Sequence, residues 1–175
     1  MQAIKSIATI AASLDLVTAS WATAQNQQRG PSTAPERAKA VQVAHRLQSD
    51  PWSAETKAAR EWVVMWLIQV PEISVKLCSV FLGEDDDSKS ETRGTLIATM
   101  MASEAAFVIE HPDKSKDDVA VYFAGLDGAL NAYAAMKKKD SQLHLAQLDD
   151  LLAQREQGEA RRLRQENSEE VQRSK

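Results

Sequence analysis

The sequence predicts an all-α protein, a compact bundle of five or six short antiparallel or orthogonal helices, with a short helical-hairpin solenoid as the alternative. Three observations predict it. Apolar residues recur every three or four positions in successive segments, as in Val41, Ala44 and Leu47 or Leu145, Leu148 and Leu152. Most of these segments open on residues that cap helices. No run alternates apolar and polar residues with β-branched enrichment, as a half-buried strand would.

The first helix opens at Thr33-Ala34-Pro35-Glu36, a capping-box pattern with proline in the first turn, and runs to about Ser49. Asp50-Pro51 restarts the chain, with Asp50 as cap and Pro51 in the first helical position. That second helix stops before Pro71. Its stretch from Trp62 to Ile68 is apolar on every side, which predicts a central helix surrounded by others. A shorter helix is expected from Pro71 to Leu82, closed by Gly83.

Glu84 to Asp87 reads as a charged loop, and Ser88 to Glu91 as a second capping box opening a helix to Glu110. His111-Pro112 breaks it. Ser115 caps the next helix, whose stripe is Val119, Tyr122, Phe123, Leu126, Leu130 and Tyr133. Lys137, Lys138 and Lys139 suit its negative carboxyl-terminal pole. A last amphipathic helix follows Asp140-Ser141. The stretch from Gly128 to Met136 resembles the second helix of a tetratricopeptide repeat. It covers one half-repeat with no second copy at a fixed spacing, and stacked repeats need at least about three units, so the bundle is preferred.

Domain organisation divides into a leader, a lead-in, a body and a tail. Residues 1–24 have the order of a cleavable signal: Lys5 as the positive start, an apolar run from Ile7 to Val17, and Ala22-Thr23-Ala24 as the small-x-small site. Asp15 is the one residue that fits poorly. Residues 25–32 read as a flexible lead-in, 33–155 as the helical domain, and 156–175 as a charged, solvated or frayed tail. An extracytoplasmic, periplasmic or secreted location of bacterial type follows from the leader. A net charge of −4 lacks the excess of cations that nucleic acid would demand. The interleaved glutamates cancel the Arg161-Arg162-Leu163-Arg164 cluster. The single cysteine, Cys78, leaves no disulfide within one chain and reads as a core thiol.

Few residues suggest chemistry. Glu104 shares a helical face with Ile97, Met100, Met101 and Val108, so its carboxyl either turns inward, where burial would raise its pKa, or lies at the edge of the stripe and reaches solvent, a helix terminus or a basic residue, the preferred reading for a carboxylate. Asp127 lies one turn from Phe123 and Leu130 and projects toward an inter-helix cleft or the surface. These two are the candidate catalytic residues of an alternative reading, a carboxylate-dependent hydrolase or lyase. His111, Tyr133 and Trp66 are the candidate ligand-binding residues. Neighbouring Glu110 and His111 cannot face one another on a helix, and the three histidines show neither zinc spacing. Glu84 to Asp87 lacks the glycine and distal glutamate of a calcium loop. No nucleophile elbow and no phosphate loop occurs. The expectation is therefore a non-enzymatic binding or interaction module without metal or cofactor. Its partner would be a protein, a peptide or a small apolar molecule.

Overall fold

The computed structural model describes residues 29–76, 82 and 89–158, all helix and connecting turns, without a strand among the described residues. Helix α1 spans Ala34–Ser49 and opens on the expected capping box: Glu36 N–H donates to Thr33 Oγ1 at 3.4 Å, and Thr33 N–H to the Glu36 carboxylate at 2.8 Å. Helix α2 spans Ala54–Gln69, capped not by Asp50 but by Ser53, whose Oγ accepts Thr56 N–H at 3.2 Å. Asp50 instead closes α1, its N–H reaching Arg46 O at 2.9 Å. Reversing the chain takes the intervening Pro51 and Trp52, which form the turn, so the capping task passes to the next short polar residue.

Beyond α2 the expected helix from Pro71 does not form over the described residues. Residues 70–76 make an irregular strap. It is tied to the rest of the fold through carboxylates at both ends. Glu72 accepts Ser32 N–H at 2.6 Å, and Glu104 accepts Lys76 N–H at 2.5 Å. Lys76 N–H, so satisfied, needs no helical carbonyl. Ile73 anchors the strap in the core.

Helix α3 spans Ser90–Glu110 and ends where expected; its N-cap is Lys89, without the side-chain cap that the capping box predicts. A single 3₁₀ turn, Pro112–Lys114, leads to α4, Asp118–Lys139. Asp117, not Ser115, caps α4, accepting the amides of Val119 at 3.2 Å and Ala120 at 3.0 Å. Helix α5 is described over 146–158.

The central helix is α3, not α2. Nearly every residue of α3 from Thr95 to Ala106 is buried, whereas Met65 and Ile68 of α2 are 54% and 70% exposed. The α3 side chains are mostly small, which lets helices approach from several sides; the bulky run of α2 is covered on one side only. α3 separates two cores. One is built by α1, α2 and α3 around Leu47, Val63, Trp66 and Ala105; the other by α3, α4 and the start of α5 around Leu96, Met100, Tyr133 and Leu148. α1 packs on α3 and α4 as well as on α2, which a solenoid of nearest-neighbour hairpins would not allow.

The buried face of α4 also differs from the predicted stripe. Val119 and Phe123 are 64% and 60% exposed, while Val121, Gly125, Gly128 and Ala129 face inward with Leu130, Tyr133 and Met136. A Cβ at Gly128 would lie 2.5 Å from Ser103 Cβ, so the helices meet almost backbone to backbone there. Bulky residues on that face would hold them apart.

Candidate functional site

Glu104 is fully buried, turned inward on the apolar face of α3 rather than lying at the edge of the stripe in reach of solvent. Its Oε2 accepts Lys76 N–H, while Oε1 is buried without a hydrogen-bond partner. Gly125 of α4 lies directly over it: a Cβ there would stand 2.5 Å from Glu104 Cγ and 2.8 Å from Oε1. Burial pushes the carboxyl up to about 7, partly opposed by the Lys76 amide and ammonium. The group is thus sealed inside the α3–α4 seam.

The other sequence candidates scatter. Asp127 is exposed and receives a hydrogen bond from Arg155 Nη1 at 3.0 Å, so it shares no cleft with the sealed Glu104. His111 is exposed at the end of α3, its ring 4.7 Å from that of Phe107. Glu110 lies 3.8 Å from His45, not from its neighbour.

Tyr133 is fully buried between α4 and α5. Its hydroxyl accepts Leu145 N–H at 2.9 Å and donates to Asp149 Oδ1 at 3.0 Å. Burial pushes its pKa up to about 12, the Leu145 bond opposing and Asp149 adding to it, so the phenol is a structural donor. Desolvation also acts on Asp149, but hydrogen bonds from Lys137 and Tyr133 outweigh it and hold that carboxyl below the usual range. Trp66 stacks on Trp62 at 5.6 Å and 16°, and Lys39 sits 3.9 Å over the Trp62 ring. That is core packing with an outer cation, and Trp66 itself offers no surface to a ligand.

The structure does bring together residues the sequence reading passed over. Between α2 and α3 runs an open trough made of two adjoining depressions of about 370 and 390 Å³ that share Arg60 and Glu91. Both volumes fall in the range of small-ligand sites. One end is polar, lined by Trp52, Ser53, Lys57 and Thr92. The other is apolar, lined by Val64, Met65, Gly94 and Ala98. Arg60 crosses between the helices to Thr95 Oγ1, itself bonded to Glu91 O at 2.9 Å. Gly94 faces the open space of the trough: a Cβ there would meet nothing within 4 Å. The exposed side of α2 was the available signal, hidden because Met65 and Ile68 read as core.

Among the described residues no group of three or more metal-ligating side chains converges, and no helix is long and apolar enough to cross a membrane. Cys78, the acidic loop at Glu84 to Asp87, the leader and the Arg161 cluster lie outside the described residues. No known protein family, curated protein or solved structure matches the chain.

Proposed function

We propose that this chain is an exported, non-enzymatic binding module whose working surface is the trough between α2 and α3. The observation that carries the reading is uncovered apolar surface beside a concavity. Met65 lines the apolar end at 54% exposure, and Ile68, one turn on, is more exposed still. Apolar side chains lining a ligand-sized depression offer an apolar group a place to dock. The polar end adds Lys57, Arg60 and Glu91, which would orient a peptide or a small apolar molecule carrying polar groups.

Titration of the whole protein with the neutral probe Nile red tests the trough. Gly94→Phe fills the apolar end from an open position and is expected to weaken probe binding about tenfold or more, or roughly 1.4 kcal/mol, with an unchanged circular dichroism spectrum. Unaltered binding to the variant would overturn the assignment. Export is supported by the order of Lys5, the apolar run and Ala22-Thr23-Ala24. Amino-terminal sequencing of protein from an envelope fraction should begin at Gln25, and an intact Met1 would overturn it.

A further inference from the structure

We propose that Glu104 is a proton-operated latch on the α3–α4 seam: protonated, it lets α4 lie on α3, and ionised, it draws water in and frees the amino-terminal half of α4. The geometry leaves the ionised form underserved. A carboxylate accepts several hydrogen bonds, yet here one amide, that of Lys76, serves Oε2, and Oε1 has none. Gly125 closes over the same atoms, with Met100 Cγ 3.0 Å from where a Cβ would stand. Lifting α4 at Gly125 would open Oε1 to water.

The surrounding charges do not offer another way out. The strap brings Lys76, whose ammonium is paired with Asp118 of α4 at 3.1 Å. α4 presents Gly125 and Gly128 to the seam, α3 presents Met100 and Ser103, and α1 reaches Ser103 through Gln48 at 2.9 Å. None of these five ionises. The half of α4 that would move is also the half held less firmly. Val119 and Phe123 are exposed there and Val121 is the one large side chain buried, whereas Leu130, Tyr133 and Met136 are all buried further on. Burial sets the ionisation near neutrality, where the latch would respond to ordinary pH changes.

Hydrogen exchange on the full chain tests this, with rates corrected for the intrinsic pH dependence of exchange. With a closed-state value near 7 and an open-state value of 4.5, the opening constant of amides 121–128 should rise roughly 30-fold from pH 5.5 to 8. Glu104→Gln should abolish the rise. A flat wild-type profile, a rise that persists in the variant, or amides 121–128 that exchange only as fast as the globally unfolding amides of α1 would overturn the latch. Should the variant not fold, carbon-detected titration of the Glu104 carboxyl in the wild type decides: a midpoint near 7 supports the latch, and one near 4.5 overturns it.

Discussion

The two sides of α3 are built from similar residues and behave in opposite ways. On the α4 side, Gly125 and Gly128 bring backbones together until there is no room for a methyl group. On the α2 side, Gly94 faces a hollow in which a methyl group would touch nothing. One side is closed over an ionisable group; the other is open, with apolar side chains left to solvent. A glycine in a helix therefore has no single structural meaning. Its meaning is set by whether another element descends on it.

That contrast can be broken in several ways. The largest effect should come from pH. Glu104 has a raised pKa, so the folded state keeps a proton that the unfolded state releases from about 4.5 upward. The stability it contributes is complete below that value and is lost as pH climbs through about 7, on the order of 3 kcal/mol in all. At the acid end Asp149, held low, acts in the opposite sense: its stabilisation is present above 3.8 and lost as pH falls. Denaturant midpoints across the pH range should therefore peak between these windows. A plateau reaching past pH 8 would mean the seam is not dry.

Gly128→Ala should come next, costing about 2 kcal/mol through overpacking against Ser103, read from urea unfolding. A neutral outcome would show that the seam has slack and that the contrast with Gly94 is overstated. Tyr133→Phe should cost about 1.5 kcal/mol, because it leaves Leu145 N–H without its buried acceptor. The smallest effect has the opposite sign. Gly94→Ala should stabilise by about 0.5 to 1 kcal/mol, since alanine is the better helix former and nothing obstructs it. Destabilisation by that change would mean that the trough is closed in solution.

The helices were legible where local chemistry decides them. Thr33 with Glu36 starts α1, Pro71 limits α2, His111 ends α3, and three lysines close α4. The inward turn of Glu104 was not decided by its neighbours at helical spacing, which equally allow an edge position reaching solvent; the descent of α4 over it settles the matter. What could not be read depends on contacts distant in sequence. Over residues 70–76 the strap is held by partners distant in sequence: Glu72 accepts from Ser32 and Lys76 donates to Glu104, pairs 40 and 28 residues apart. The face of α4 was misassigned because apolar periodicity weighs Val119 and Phe123 above glycine and alanine, whereas close packing prefers the small residues. The trough is defined by missing bulk at Gly94 and Ala98, and a pattern of hydrophobicity carries no signal for empty space.

The bonds from Ser32 to Glu72 have a consequence for the order in which the chain comes apart. Ser32 donates both its N–H and its hydroxyl to that carboxylate, and Arg37 Nη1 grips Ser32 O at 2.5 Å. The α1–α2 hairpin is thereby joined at its open end into a ring without a covalent closure. A ring has fewer ways to fray than a hairpin with free legs. Trimming the chain up to Pro31 should leave that ring whole, whereas removal of Ser32 would let both legs swing.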